Sequence, residues 1–180
     1  HCERNLNNCS FESPLIQQGF YNAKNLYTNM DNLKIDTIYS SPFLRTIQTG
    51  DFYSKMKNIP INIDYSLAEF VLPHEKYLMY SVNNYIIPEE WKKNFNINML
   101  TMIHNKYNTK EIKEDCIERV YKFINHIKNK YINTNKNILI ITHMSIVNII
   151  LHLSSNKINY NNLDVDKYYP MGLITEINLI

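Results

Sequence analysis

Residues that could bind a dianion are concentrated in three segments, each expected at the end of a strand. The segments are residues 1–4, residues 40–49 and residues 142–145. Their basic side chains are His1, Arg4, Arg45 and His143. Because open α/β sheets bind ligands at the carboxyl ends of their strands, these two histidines and two arginines would converge into one pocket. A fourth segment, residues 67–70, follows another short strand and adds the carboxylate of Glu69.

The elements that must position these segments alternate between strand and helix. The predicted strands are residues 35–39, 61–63, 137–141 and 173–180. The predicted helices run from Pro14 to about Met30, from about Phe43 into the fifties, over residues 111–129, and from Ser145 as N-cap to about Leu153. The run at residues 137–141 is continuously apolar, as in strands that a parallel sheet buries on both faces. This order predicts a three-layer α/β sandwich with a mostly parallel central sheet and helices on both faces.

The length of 180 residues predicts one domain spanning residues 1–180. Within it, residues 72–108 mix prolines with short helical patterns, and we interpret them as a cap-like, irregular insertion over the mouth of the pocket. The aromatic side chains of this insertion would suit an apolar or aromatic leaving group; they are Tyr77, Tyr80, Tyr85 and Trp91.

Charge and composition exclude several classes of protein. Lys and Arg total 19 and Asp and Glu total 17, a formal net charge of +2, which argues against duplex nucleic acid as a partner. The longest apolar stretch, residues 138–153, is too short and too polar to span a membrane. Three cysteines, an odd number, indicate a reduced and therefore cytoplasmic setting. The sequence has neither a CxxC nor an HExxH motif, so we expect no metal site.

Five sequence elements, in order, resemble the motifs of the histidine phosphatase superfamily, the phosphoglycerate mutase-like phosphatases. His1-Cys2-Glu3-Arg4 resembles the Arg-His-Gly-Glu-Arg motif, and residues 14–19 resemble the Pro-Leu-Thr-x-x-Gly start of the first helix. Residues 41–49 match Ser-x-x-x-Arg-x-x-Gln-Thr at every marked position. Residues 67–70 resemble the Leu-x-Glu acid segment, and Ile140-Ile141-Thr142-His143 the segment of the second histidine.

This resemblance implies a phosphomonoester hydrolase that acts through a phosphohistidine. His1 would be the nucleophile, since a neutral imidazole attacks phosphorus and also leaves readily. Arg45 and Arg4 would bind the phosphoryl oxygens with their forked guanidinium groups, and His143 would donate a hydrogen bond to them. Glu69 would protonate the leaving oxygen and then deprotonate the attacking water. Neither a metal nor another cofactor is required, and the substrate would be a phosphorylated small molecule or a phosphopeptide.

Three positions depart from the family pattern. The chain begins at His1, so we expect the arginine that normally precedes this histidine, together with the first strand of the sheet, to lie upstream. Cys2 replaces the usual glycine and excludes any backbone conformation that glycine alone tolerates. Met144 replaces a glycine or alanine and would narrow the pocket or shape its wall.

Other interpretations of the same residues stay open. His143 could be a structural residue at the end of a strand, Arg45 could pair with a helix carboxylate, and Glu69 could be a solvated loop acid. The carboxyls that could compete for the acid role are Glu75, Glu89 and Glu90. Ser41, Thr46 and Thr142 would support the loops through local hydrogen bonds. The alternative functions are mutase-type phosphoryl transfer on a phosphoglycerate and a catalytically weakened phosphate-binding scaffold, and the sequence leaves the oligomeric state undetermined.

Overall fold

The structure, a computed structural model, describes residues 12–30, 32–70, 84–99, 103–104, 107–108, 110–154 and 174–177. Its helices in these ranges are α1 (Gln17–Asn29), α2 (Leu44–Lys57), α3 (Glu89–Asn94), α4 (Lys113–Tyr131) and α5 (Met144–Ser154), with a 3₁₀ turn at Tyr65–Leu67. The strands are β1 (Thr37–Ser40), β2 (Ile61–Ile63), β3 (Asn84–Tyr85), β4 (Ile97–Asn98), β5 (Tyr107–Asn108) and β6 (Ile138–Ile141).

Four of these strands form one parallel sheet in the order β4-β2-β1-β6. Strands β3 and β5 form a separate antiparallel pair. The mostly parallel central sheet that the apolar run at residues 137–141 predicted is therefore confirmed.

Alternation along the strands divides the core between the two faces of the sheet. In β1, Ile38 packs in a cluster with side chains of α1 and α2, whereas its neighbour Tyr39 packs with side chains of α4 and α5. In β6, Ile141 belongs to the first cluster and Ile140 to the second. Helices thus cover both faces, and the predicted three-layer α/β sandwich is confirmed.

The register of the parallel strands brings their carboxyl ends to one edge. Ser40, the last residue of β1, pairs with Ile63 at the end of β2 and with Ile141 at the end of β6. The backbone ladder continues one step further, because the Asp64 amide donates to the Ser40 carbonyl at 3.0 Å and the Ser41 amide to the Ile141 carbonyl at 3.0 Å. The segments that follow β1, β2 and β6 therefore start side by side.

Helix α2 packs closely on this sheet at Gly50. A Cβ placed on Gly50 would lie 2.7 Å from Cδ1 of Ile141 and 3.3 Å from Cδ1 of Ile61. Glycine allows this close approach because it has no side chain. The middle of α2 therefore packs directly on the end of β6 and the start of β2.

The predicted start of the first helix and the predicted last strand are wrong in the described residues. Helix α1 begins at Gln17, three residues after Pro14, and the Leu15 amide instead donates to Oε1 of Gln48 at 2.8 Å. Residues 174–177 lack strand structure, and three consecutive residues, 174–176, are exposed, so burial does not alternate there as it does along a strand.

The region predicted as an insertion contributes to the sheet, because β4 within it pairs with β2. Trp91 was expected near the pocket mouth, but it is 5% exposed and packs in the core cluster beside α1 and α2, so that expectation is wrong. The side chains of Tyr77, Tyr80 and Tyr85 lie outside the described part. The cap-like role of residues 72–108 stays a prediction. In the described ranges, each helix is too short or too polar to span a membrane.

Candidate active site

Three predicted side chains meet at the carboxyl edge of the sheet. Arg45 lies in the first turn of α2, Glu69 follows the 3₁₀ turn after β2, and His143 lies between β6 and α5. Nη2 of Arg45 is 3.3 Å from Nδ1 of His143 and forms an ion pair with Oε2 of Glu69. The same Glu69 oxygen is 3.6 Å from Nδ1 of His143. A cation, a carboxylate and an imidazole thus lie in contact with one another, although up to 98 residues separate them in the chain.

The hydrogen bonds around His143 define its neutral tautomer. Nε2 lies 2.7 Å from Oγ of Ser41, and Nδ1 faces Nη2 of Arg45. Because a guanidinium group can only donate, Nδ1 must be the accepting nitrogen and Nε2 must carry the proton. Ser41 therefore accepts from Nε2–H, and the lone pair of Nδ1 points toward Arg45 and Glu69.

His143 is held uncharged in this arrangement. The residue is 7% exposed, and burial is the main reason that its pKa lies well below the usual value of 6.5. The positive charges of Arg45 and Arg119 lower this pKa further. The ring of Phe43 packs edge-on against the imidazole, with 4.8 Å between centroids, and fixes its orientation.

Arg45 is positioned by the turn that leads into α2. Its guanidinium carbon lies 4.7 Å from the centre of the Phe43 ring, a cation–π distance. The single proton of the Thr46 hydroxyl is shared between the carbonyls of Ser41, at 3.0 Å, and Phe43, at 2.7 Å, which closes the turn. The predicted supporting role of Ser41 and Thr46 is confirmed.

The segment that carries Glu69 is tied to the segment that carries His143. The Thr142 hydroxyl donates to the Leu67 carbonyl at 2.8 Å. Thr142 therefore supports a loop as predicted, but the expectation of a local partner is wrong, because the acceptor is 75 residues away in the chain. The Phe70 amide donates to Oγ of Ser145 at 3.4 Å. Ser145 was predicted as the N-cap of the helix, which is wrong: α5 begins at Met144, and the Ser145 hydroxyl serves Phe70 instead.

Arg119 is a site-supporting residue that the sequence interpretation missed. It lies on α4, is 9% exposed, and donates to the carbonyls of Ser66 and Ala68, the latter at 2.8 Å. The signal was its position in the apolar stripe of the helix, between Cys116 and Phe123, where a charged residue requires a buried partner. That partner is Glu111.

The other predicted residues divide into two groups. His1, Arg4 and Glu75 lie outside the described residues. Glu89 and Glu90 are exposed on α3, where Glu89 pairs with Lys92, so Glu69 is the predicted acid that the structure places beside Arg45 and His143. In the part of the chain that the structure describes, there is no group of three His, Cys, Asp or Glu side chains that could hold a metal ion.

Comparison with known proteins identifies a family. The model of the histidine phosphatase superfamily (branch 1) matches residues 3–166, most of the chain. A comparison with curated proteins finds no match.

Several solved structures share the fold. The ecdysone phosphate phosphatase of Bombix mori, solved with tungstate, is 17% identical with a TM-score of 0.65, and the match covers 93% of this chain and 65% of that one. This chain therefore spans just under two thirds of that protein. The α-ribazole phosphatase of Shigella flexneri is 20% identical, with a TM-score of 0.55 and coverage of 87% and 77%. A phosphoglycerate mutase from Bacillus anthracis is 18% identical, with a TM-score of 0.53 and coverage of 79% and 69%.

Proposed function

The chain belongs to the histidine phosphatase superfamily, and from that premise we propose that it hydrolyses phosphomonoesters through a phosphohistidine intermediate. The observation that carries this proposal is the convergence of Arg45, Glu69 and His143 at the carboxyl edge of the parallel sheet. This is where α/β sheets bind ligands, and the three groups supply a cation, an acid–base group and a hydrogen-bonding imidazole.

The phosphoryl group of the substrate would bind between Arg45 and His143. Two parallel N–H groups of a guanidinium match the oxygens of a phosphate, and the α2 turn holds Arg45 in place. Nδ1 of His143 faces the same point and would donate to a phosphoryl oxygen once it carries a proton. The proton on Nδ1 is favoured there by the negative charge of the bound phosphate.

His1 is the proposed nucleophile, on the basis of the His1-Cys2-Glu3-Arg4 motif. An imidazole nitrogen of His1 forms a bond to phosphorus as the ester P–O bond breaks, and the leaving oxygen takes a proton from Glu69. A water molecule then attacks phosphorus and gives a proton to Glu69. The P–N bond breaks, inorganic phosphate is released, and His1 and Glu69 return to their starting states.

The ion pair between Arg45 and Glu69 couples binding to acid catalysis. A phosphate that takes Arg45 as its partner removes the cation from Glu69 and leaves an anion beside the carboxyl. Repulsion between the two negative charges favours the protonated carboxyl, which is the form that can donate to the leaving oxygen. Substrate binding itself would therefore prepare the acid.

Turnover of p-nitrophenyl phosphate tests this proposal. We expect His143→Ala and Arg45→Ala each to lower kcat/KM at least about 100-fold, because both groups act on charge that develops in the transition state. The matched controls are His126→Ala, which removes an exposed histidine, and Lys55→Ala, which removes an exposed positive charge. His1→Ala should also prevent the capture of phosphate from a labelled substrate on the protein. Near-normal rates in both the His143 and Arg45 variants would overturn the site.

Two further measurements separate the alternatives. Conversion of 3-phosphoglycerate in the presence of its bisphosphate would identify a mutase instead of a hydrolase. Binding of inorganic phosphate without turnover of any phosphomonoester would identify a scaffold.

A further inference from the structure

The backbone immediately before Glu69 is held by a side chain from a distant helix. Arg119 on α4 donates from Nη1 to the Ser66 carbonyl and from Nη2 to the Ala68 carbonyl, the latter at 2.8 Å. Ser66 and Ala68 are both buried, and Ala68 is the residue directly before Glu69. Arg119 therefore fixes two of the three residues that precede the acid.

Arg119 is itself fixed by a second buried charge. Nε of Arg119 donates to Oε2 of Glu111 at 2.8 Å, and Nη2 donates to Oε1 at 2.6 Å. The two side chains are only 10% and 6% exposed. A forked pair of this kind sets the direction of the guanidinium as well as neutralising it. Burying two charges costs free energy that the mutual attraction often does not recover, so stability alone gives no strong reason for this pair.

We propose that Arg119, oriented by Glu111, is a positioning residue for Glu69 that sets the reach of its carboxyl toward the leaving oxygen. This inference rests on the proposed function, because it assigns Glu69 the acid–base role. The Glu69 side chain is 31% exposed, whereas the His143 side chain is 4% exposed. Packing therefore restrains Glu69 less than it restrains His143. The ion pair with Arg45 also holds the carboxyl, but in the proposed mechanism a bound phosphate takes Arg45 as its partner. Control of the backbone then has to place Glu69, and a misplacement of about 1 Å can lower a rate about 100-fold.

The test compares two substrates that differ in their need for an acid. The p-nitrophenolate ion leaves easily without a proton, whereas phenolate, with a conjugate acid of pKa about 10, is a poor leaving group. Loss of a well-placed acid therefore lowers kcat/KM for phenyl phosphate more than for p-nitrophenyl phosphate. We use kcat/KM because it covers the steps up to departure of the leaving group. Partial unfolding or loss of active protein would lower both values by the same factor.

Two variants remove the hydrogen bonds in different ways. Arg119→Lys keeps the positive charge but loses the planar guanidinium group and its paired hydrogen bonds. The double variant Glu111→Leu, Arg119→Met removes both charges, so no buried charge is left unpaired and the helix can still fold. Glu118→Gln with Lys122→Met is the matched control, since it removes an exposed ion pair from the same helix. Glu69→Gln provides the full effect of losing the acid, and urea unfolding shows that each variant is folded.

We expect both Arg119 variants to lower kcat/KM for phenyl phosphate at least about tenfold more than for p-nitrophenyl phosphate, in the direction of Glu69→Gln. The exposed-pair control should leave both substrates unchanged. Equal losses on the two substrates in folded variants, or no loss, would overturn the positioning role and leave the proposed function standing. An unmodified protein that turns over neither substrate would overturn the proposed function and this role together.

Discussion

At the scale of single residues, the proton on His143 decides how the site would accept a phosphate. In the structure Nδ1 accepts from Arg45 and Nε2–H donates to Ser41, so the nitrogen that faces the site, Nδ1, carries no proton. A hydroxyl can accept or donate, and Ser41 can therefore follow the ring when the proton distribution changes. Arg45 and Glu69 stand on the other side of the imidazole and respond to the same anion.

We expect Nδ1 of His143 to gain a proton when an oxyanion binds, because a phosphoryl oxygen needs a donor at that point. The measurement is ¹⁵N NMR of the histidine ring nitrogens at pH 7, with and without saturating inorganic phosphate. Spectra of His143→Gln assign the signal, and the exposed His126 provides an internal control that should not change. A protonated Nδ1 before phosphate is added would contradict the tautomer assignment. An unprotonated Nδ1 at saturation would contradict its predicted role as a donor to phosphate.

At the scale of elements, the contact between α2 and the sheet determines where Arg45 can lie. Gly50 permits the helix to approach Ile141 and Ile61 at a distance that a Cβ would not allow without movement of their side chains. Arg45 is on the same helix, five residues earlier. The residue pattern predicted helix α2. Its close approach to the sheet depends on Ile61 and Ile141, which lie in strands elsewhere in the chain.

We expect Gly50→Val to lower the free energy of unfolding by about 2 kcal/mol, since it places extra carbon atoms in a filled core. Helix propensity alone would favour valine over glycine, so the loss is assigned to the core. Met56→Val, at an exposed position of the same helix, shows the effect of a valine that enters no core. Urea unfolding measures both. A Gly50→Val protein no less stable than the Met56 control would show that the core at Ile141 and Ile61 can expand freely.

At the scale of the whole molecule, buried titratable groups make stability depend on pH. Burial is the main cause that lowers the pKa values of His143 and His104 in the folded protein. At pH values between these folded-state pKa values and the unfolded-state pKa of about 6.5, the unfolded chain binds protons that the folded chain does not. The stability that these two neutral histidines contribute is therefore fully present above about pH 6.5 and is lost progressively as the pH falls below that value. Burial raises the pKa of Asp64, which works in the opposite direction at lower pH.

We expect the free energy of unfolding to fall more for the unmodified protein than for His143→Gln between about pH 7.5 and about pH 5.5. The contribution of one group reaches about 1.4 kcal/mol for each pH unit below its unfolded value, as long as the folded form stays neutral. Comparison of the two proteins removes the contributions of His104 and Asp64, which both retain. Equal decreases in urea unfolding experiments would mean that His143 takes up its proton without cost.

The sequence by itself determined the main strands and helices along the chain and the convergence of three candidate side chains. The apolar run at residues 137–141, the short strands and the amphipathic stripe of α4 are local periodicities, and they sufficed to predict a parallel sheet with helices on both faces. Because parallel strands end at a common edge, the same reasoning brought Arg45, Glu69 and His143 together.

Tertiary structure alone decided which partners the buried polar groups take. Arg119 donates to Ser66, 53 residues away, and the Ser145 hydroxyl accepts from Phe70, 75 residues away. Trp91 lies in the core instead of at a pocket mouth. Such contacts depend on how helices dock on the sheet, and periodicity cannot reveal them because it records which face of an element is buried and not what that face meets.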